Sequence, residues 1–205
     1  MKIIEPSVEL IDDVNAADVY RKIERCGRVC YQSEPKGDAE NFVRMLIKRG
    51  HESVLEHVSL TFHIITDRAI MSELTRHRLA SFSVESTRYV KYDELTFIKP
   101  EFWALYRESS LAYRALTETE QEYSKMVSEL KVTPEQARAV LPLCLKSELY
   151  MTANLREWRH ILKLRINKAA HPQMRFIANQ ILNILRDKLP VIVEDIGGTE
   201  HANND

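Results

Sequence analysis

The scarcity and placement of glycine constrain this chain more than any other feature of its sequence. Only 5 of the 205 residues are glycine, whereas an average composition of about 7% would give roughly 14. They stand at positions 27, 37, 50, 197 and 198. With glycine at these positions, the chain contains neither the G-x-G-x-x-G fingerprint of a Rossmann unit nor the G-x-x-x-x-G-K-[ST] phosphate loop. A nucleotide bound here would be held by side chains, with arginines and short hydroxyls as the expected groups.

Composition and charge are those of an ordinary globular chain. Hydrophobic residues make up 44% of the sequence, charged residues 29%, and the formal net charge is -1. This charge provides no basic field for a nucleic acid polymer or an acidic lipid surface. The three cysteines form no disulfide framework, no apolar run reaches the ~18 residues of a membrane span, and the acidic N-terminus does not resemble a signal peptide. We therefore expect a cytoplasmic protein that binds neither nucleic acid polymers nor membranes.

Hydrophobic periodicity predicts a helix-rich chain with a smaller β component. The predicted strands lie at 2–11, 58–65, 88–92 and 95–98. The predicted helices lie at 15–31, 38–48, 101–129, 146–165 and 172–188, with shorter ones starting at Asp67 and Thr133. The Ser-rich residues 79–87 are predicted to form a loop. We expect an α/β or α+β fold with a central, mostly antiparallel sheet flanked by helices. Residues 1–190 would form a single domain and residues 191–205 a C-terminal tail.

The densest group of anion-binding side chains lies between Arg76 and Arg88. This segment, RHRLASFSVESTR, carries four arginine or histidine side chains and four hydroxyls. Arginine forks match phosphate oxygens, and short hydroxyls add donors, so the pattern indicates a nucleotide-phosphate site at a helix-to-loop junction. A solvated basic helix end is the structural alternative. An oligonucleotide-binding module that uses the stretch from Arg76 to Lys91 is a second functional hypothesis.

The segment HESVLEH at 51–57 resembles a metal motif only superficially. His51 and His57 are six residues apart, so the segment is not H-E-x-x-H and the two rings do not share a helical face. A zinc hydrolase that uses these histidines is a third hypothesis. The spacing favours a loop histidine placed against a ring or ligand over a metal site, and it favours a structural polar turn over both.

The segment NLREWRHILKLR at 154–165 predicts a helix with polar groups on two faces. At about 100° per residue, Asn154 and Arg165 point in similar directions, whereas Arg156 and His160 point roughly the other way. Such a helix could serve two ligands or both sides of an oligomer interface. The structural alternative is an amphipathic helix with Trp158 in the core and solvated cations elsewhere.

Taken together, these segments resemble the flavin-dependent thymidylate synthases. Arg76-His77-Arg78, followed after seven residues by Ser86, is similar to the RHR-x7-S signature of that family. The surrounding Glu85-Ser86-Thr87-Arg88-Tyr89 also fits. The 51–57 and 154–171 segments fall in the family's order and spacing, and the resemblance covers roughly residues 15–190. This family resemblance makes an enzyme the first functional hypothesis.

The resemblance implies an FAD-dependent methyltransferase that converts dUMP to dTMP. NADPH would reduce the flavin, and 5,10-methylenetetrahydrofolate would donate the carbon. Hydride from the reduced flavin would complete the methyl group, with no attack by an enzyme cysteine. The resemblance also implies a homotetramer whose active sites are built from several subunits.

Residue by residue, the resemblance implies catalytic roles for two side chains and two sets of ligand contacts. Arg165 would polarise the uracil, since a cation beside the ring stabilises the charge that builds there, and His51 would lie near the flavin. The implied dUMP-binding residues are Arg78, Glu85, Ser86, Arg88, Arg138, Arg165 and Glu73. The implied FAD-binding residues are Ser53, Glu56, Arg76, His77, Arg78, Asn154, Arg156 and His160. No metal site is implied.

Overall fold

The structure, a computed structural model, describes residues 1–30, 32–35, 37–99 and 111–197. The helices are α1 (Ala16–Val29), α2 (Ala39–Lys48), α3 (Arg68–Leu74), α4 (Leu111–Ser128), α5 (Pro134–Ala137), α6 (Leu155–Arg165), α7 (Pro172–Lys188) and α8 (Pro190–Val193). The strands are β1 (Lys2–Ile4), β2 (Ser7–Leu10), β3 (Ser59–Asp67), β4 (Ala80–Val84), β5 (Thr96–Ile98) and β6 (Lys146–Asn154). Short 3-10 helices span Glu52–His57 and Arg138–Val140.

Strands β2, β3, β6 and β4 form a four-stranded antiparallel sheet in that order. Strands β1 and β5 form a separate pair, which is parallel, with Ile3 opposite Phe97. The predicted fold class, a helix-rich chain with a mostly antiparallel sheet, is therefore confirmed.

Contacts between Cα atoms divide the chain into two units, each built from three segments. The first unit contains 1–7, 64–76 and 82–150, and the second contains 8–63, 77–81 and 151–205. Since the chain passes from one unit to the other five times, no single cut in the chain separates them.

Each unit has its own apolar core. In the first unit, Leu95 and Phe97 pack with Leu116 and Tyr123 of α4 and with Leu145. In the second unit, α1 packs against α2, and α6 packs against α7 and the 3-10 helix at Glu52–His57.

Side-chain caps explain why the predicted helices of the N-terminal third begin where they do. The Asn15 side chain accepts from the Asp18 backbone N–H at 3.2 Å, and Asp38 does the same for Glu40. These acceptors satisfy amide groups that have no partner within the helix. After α2, Gly50 adopts φ +74°, a left-handed conformation that glycine adopts without strain.

The prediction of one helix over 146–165 is wrong in its first half. Residues 146–154 form strand β6, and helix α6 begins only at Leu155. Ser147, Leu149, Met151 and Ala153 are all buried, whereas the residues between them are more exposed. This is the two-residue period of a strand with one buried face, and it overrides the helix propensity of Lys, Glu, Leu and Met in KSELYM.

The local predictions around the arginine-rich segment are also corrected. Residues 80–84, predicted as loop, form β4 beside β6. Residues 88–92, predicted as a strand, form the end of a turn followed by irregular backbone. A hydrogen bond from the Glu85 backbone N–H to the Glu148 carbonyl, 2.8 Å, continues the β4–β6 pairing past β4. The first ten residues of the helix predicted at 101–129 lie outside the described residues, and α4 occupies 111–128.

The proposed domain boundary at residue 190 stays a prediction. Immediately after Pro190, the side chains of Val191, Ile192 and Val193 are buried. The part of the predicted tail that the structure describes therefore contributes to the core of the second unit, because this apolar run packs rather than frays.

Candidate active site

Helix α6 positions most of the candidate side chains of the second unit. Asn154, the last residue of β6, caps this helix by accepting from the Glu157 backbone N–H at 2.9 Å. Trp158 fixes the buried face: its Nε1 donates to the Leu60 carbonyl at 3.0 Å, and its ring packs edge-on against Phe62. Anchored in this way, α6 exposes Arg156, His160 and Lys163, whereas its Glu157 and Arg159 are buried.

A pocket of about 570 Å³ lies along the polar face of α6, within the second unit. Its lining residues are Glu52, Glu56, Leu79, Asn154, Arg156, Glu157, His160 and Lys163. Four of the eight FAD contacts that the sequence predicted, at 56, 154, 156 and 160, lie together in this pocket. The volume is within the range of small-molecule sites.

Two cations of this pocket, Arg156 and Lys163, are of the kind that binds phosphate oxygens, and three carboxylates, Glu52, Glu56 and Glu157, line the pocket with them. Arg156 Nη1 donates to Glu56 Oε1 at 2.5 Å, and the two side chains are 53% and 46% exposed. Lys163 Nζ lies 3.7 Å from Glu52. Exposed ion pairs of this kind contribute little to stability, so the cations can exchange a carboxylate for phosphate oxygens at small cost.

A buried arginine that the sequence analysis missed supports one wall of the pocket. Arg159 is 1% exposed and donates to Glu52 at 2.9 Å, to both Asp195 oxygens at 2.7 and 2.8 Å, and to the Ile192 carbonyl. The hydrogen bond from Arg159 lowers the pKa of Asp195 below its usual value. Burial alone would raise the pKa of Glu52, but Arg159 outweighs it and lowers that pKa as well.

The arginines and the histidine of the RHR triplet face different surroundings. Arg76 and Arg78 are exposed, whereas His77 is buried at 6% exposure. Arg165 Nε donates to His77 Nε2 at 3.1 Å, and His77 Nδ1 lies 3.8 Å from Glu157 Oε1. Burial, and then the nearby charge of Arg165 and of His160, lowers the pKa of His77 to about 4. The imidazole is therefore neutral at physiological pH.

The remaining predicted residues of the second unit lie at the 3-10 helix Glu52–His57. His51 precedes this helix and Ser53 lies within it; both are exposed, and neither is among the residues lining the pocket. Within 1–30, 32–35, 37–99 and 111–197, no three His, Cys, Asp or Glu side chains are placed to hold a metal ion.

In the first unit, Glu85 belongs to a hydrogen-bonded network. Its Oε1 accepts from the Tyr92 hydroxyl at 3.0 Å and its Oε2 from Lys146 Nζ at 2.9 Å. Lys146 also donates to Glu148 at 2.7 Å. Burial and the adjacent carboxylate of Glu85 raise the pKa of Tyr92. Both oxygens of Glu85 are thus fixed, one by Lys146 of β6 and the other by Tyr92 in the segment between β4 and β5.

Ser86 and Arg88 lie in the turn that follows this glutamate. Ser86 Oγ accepts from the Arg88 backbone N–H at 3.2 Å, and its carbonyl accepts from Val90 N–H at 3.1 Å. Arg88 Nε is 3.1 Å from Glu135 Oε2, and both side chains are about half exposed. Arg138, three residues after Glu135, is also exposed. The ion pair brings Arg88 to helix α5, which immediately precedes Arg138 in the chain.

The predicted residues divide between the two units with few exceptions. Of the dUMP set, the residues at 73, 85, 86, 88 and 138 belong to the first unit, with Glu73 half-buried on α3. Of the FAD set, all but Arg76 belong to the second. Each unit thus holds a coherent group of predicted contacts.

The one partly buried thiol of the first unit is a poor nucleophile. Burial raises the pKa of the Cys144 thiol to about 11, and a thiol is unreactive until it loses its proton. All three cysteines of the chain are free.

Comparisons with known proteins agree with this arrangement. A family model described as "Thymidylate synthase complementing protein" matches residues 9–191. The probable flavin-dependent thymidylate synthase of Mycobacterium phage L5 is 35% identical over 197 residues, which cover 87% of this chain and 81% of the relative. The flavin-dependent thymidylate synthase of Corynebacterium aurimucosum is 31% identical in an alignment 219 residues long, gaps included, which covers 94% of this chain and 88% of the relative.

A solved structure of a nucleotide methylase is also similar to this chain. The UMP/dUMP methylase PolB from Streptomyces cacaoi, solved with 5-Br dUMP, superposes with a TM-score of 0.80 at 28% identity and covers 95% of this chain and 96% of its own. These matches place the chain in a class of nucleotide-methylating enzymes. It belongs to the flavin-dependent thymidylate synthase family, and the resemblance drawn from its motifs is confirmed. Neither the oligonucleotide-binding hypothesis nor the zinc hydrolase hypothesis finds support in these comparisons.

Proposed function

We propose that this chain catalyses the reductive methylation of dUMP to dTMP as an FAD-dependent methyltransferase. NADPH is the reductant and 5,10-methylenetetrahydrofolate the carbon donor, as in the family. The observation that carries the proposal is the pocket along α6, because it gathers Glu56, Asn154, Arg156 and His160 in a protein of the flavin-dependent family.

The second unit would hold FAD through that pocket. Arg156 would bind its phosphates after leaving Glu56, with Lys163 as a second cation that the sequence analysis did not select. Asn154 and His160 would contribute polar contacts, and Ser53 and Arg76 would bind parts of the cofactor outside the pocket. When bound and reduced, FAD supplies the hydride that completes the methyl group.

The predicted dUMP residues would act by binding and by polarisation. Arg88, Arg138 and Arg78 would bind phosphate through guanidinium forks, whose geometry matches phosphate oxygens. Ser86 and Glu85 would orient the nucleotide, and Glu73 would line its site. Arg165 would stabilise negative charge on the uracil as the C5 position reacts, and His51 would lie near the flavin.

The proposed assembly is a homotetramer with composite active sites, in which different subunits supply groups to one site. Large apolar side chains such as Leu79, Leu164 and Phe176 are strongly exposed on the isolated chain, which supports burial against other copies. Light scattering coupled to size-exclusion chromatography measures this directly, and a monomer would contradict it. We also propose a cytoplasmic location, which the three free cysteines support. Among the described residues, no helix is long and apolar enough to cross a bilayer.

The decisive experiment tests the bound flavin and the methylation reaction on the same purified protein. The purified protein should be yellow and should release tritium from [5-³H]dUMP only when both NADPH and 5,10-methylenetetrahydrofolate are present. Omission of each component in turn is the matched control. A colourless protein that stays inactive after reconstitution with FAD would refute the proposal.

A further inference from the structure

The histidine of the RHR triplet is enclosed between two charged side chains of the second unit. Its neighbours Arg76 and Arg78 are exposed, but its own ring is 6% exposed. On one side, Arg165 Nε donates to His77 Nε2 at 3.1 Å. On the other, Nδ1 faces Glu157 Oε1 at 3.8 Å, and Glu157 is itself buried.

This arrangement permits only one protonation state of the ring. A guanidinium carries donors alone, so Nε2 accepts from Arg165 only when it is unprotonated. The ring hydrogen then lies on Nδ1, on the side of the Glu157 carboxylate, which favours that tautomer. Arg165 and the His160 ring, 6.4 Å away between centroids, both oppose a positive charge on His77. His77 is therefore a neutral acceptor of fixed orientation.

We propose that His77 is a positioning residue for Arg165: through Nε2 it fixes the orientation of the guanidinium, and Glu157 selects the tautomer that accepts. The inference rests on the proposed function, because Arg165 is the residue placed beside the uracil there. A flexible arginine loses side-chain entropy when it is held in one geometry, and a preorganised cation stabilises developing charge better than a mobile one. The burial of the ring favours this role over the direct flavin contact that the family resemblance implies.

Two replacements of His77 distinguish loss of the hydrogen-bond acceptor from loss of the imidazole ring itself. His77→Leu removes the acceptor, whereas His77→Gln offers a side-chain carbonyl in its place. At saturating dUMP we expect roughly 10- to 100-fold lower kcat for the leucine variant, the range for loss of a hydrogen bond to a charged group. Flavin content should be unchanged, and glutamine should restore most of the rate. His63→Leu is the matched control, since His63 also lies 3.8 Å from a carboxylate, that of Glu9; it should keep the wild-type kcat.

A double-mutant cycle tests whether His77 acts through Arg165. If it does, His77→Leu causes no further loss of kcat in an Arg165→Ala background. An equal fold-loss in both backgrounds, or a wild-type kcat for His77→Leu alone, would overturn the proposal.

Nitrogen-15 NMR of the His77 imidazole measures the hydrogen bond to Arg165 without reference to enzyme activity. A failure of the positioning role can therefore be distinguished from a failure of the proposed function. If Arg165→Ala leaves dUMP turnover unchanged, the assignment of Arg165 to the uracil fails. The hydrogen bond remains measurable in that case, with unprotonated Nε2 and protonated Nδ1 expected in the wild type at neutral pH. A proton on Nε2 would show that His77 does not accept from Arg165.

Discussion

Replacement of Arg159 by leucine is expected to destabilise the second unit markedly. The buried guanidinium of Arg159 joins Glu52, in the pocket wall, to Asp195 and the Ile192 carbonyl near the C-terminal end of the described chain. Its removal leaves the Ile192 carbonyl without this donor, and the two carboxylates keep only Lys163 as a nearby cation, with Nζ 3.7 Å from Glu52 and 3.5 Å from Asp195. Breaking a fully buried ion pair costs about 3–5 kcal/mol.

The expected loss is smaller than that full value, because the two carboxylates are not fully buried. Glu52 is 21% exposed and Asp195 43% exposed, so water recovers part of the lost interaction. We therefore expect a decrease of about 2–3 kcal/mol in the free energy of unfolding. For a chain of this size that corresponds to a Tm lower by about 4–12 °C. Affinity for FAD should also fall, because Glu52 lines the pocket.

Arg44 provides a matched control for this experiment. It also joins an N-terminal element to the C-terminal region, with Nε 3.0 Å from Glu194, but it is 39% exposed. Arg44→Leu should have little effect on Tm, since exposed ion pairs are weak. Urea unfolding and thermal melts of both variants, with and without FAD, measure the difference. Equal losses for the two variants would refute the argument that burial makes the Arg159 network strong.

Three further predictions concern pH and ligand binding. The pKa of His77 is about 4 in the folded chain and about 6.5 in an unfolded one. Between pH 4 and pH 6.5 the unfolded chain therefore binds a proton at His77 that the folded chain does not bind. The contribution of His77 to the free energy of unfolding should be complete above pH 6.5 and lost as the pH falls towards 4; His77→Gln should flatten this part of a urea-unfolding profile, and an unchanged slope would contradict the burial argument. Arg156→Ala should weaken FAD binding about tenfold or more by removing a charge-assisted phosphate contact, measured by flavin fluorescence titration, whereas Arg21→Ala on α1 should not. Arg88→Ala should raise the Kd for dUMP by a similar factor and leave flavin content unchanged; an unaltered dUMP affinity in calorimetry would remove Arg88 from the nucleotide site.

The sequence predicted the chemistry of this chain better than its local structure. The RHR-x7-S spacing identified the family, which the family match over residues 9–191 confirms, because such a motif depends on residue identity and spacing and not on the local conformation. The helix predicted over 146–154 was wrong because KSELYMTAN contains several helix-forming residues. Its buried positions nevertheless alternate with a period of two, as in a strand. Counting the alternation at Ser147, Leu149, Met151 and Ala153 would have predicted β6 correctly.

Buried charged residues were the second thing that the sequence could not reveal. Arg156 and Arg159 stand three residues apart on the same helix, and nothing local distinguishes an exposed cation from a buried one. The difference arises because Asp195 and Ile192, more than 30 residues away in sequence, fold back over Arg159. The neutral, enclosed state of His77 has a similar origin, since Glu157 and Arg165 lie 80 and 88 residues further along the chain.

The junction of β6 and α6 contains no connecting residues. Asn154 ends the strand and caps the helix that begins at Leu155. One inserted residue here would either reverse which side chains of β6 face the core or rotate α6 by about 100° relative to the strand. A rotation of that size would carry Arg156 and His160 out of the pocket and pull Trp158 from its place beside Phe62. The chain should therefore tolerate changes of length in its surface turns but not at this point, where a single codon inserted or deleted would disrupt core and site together.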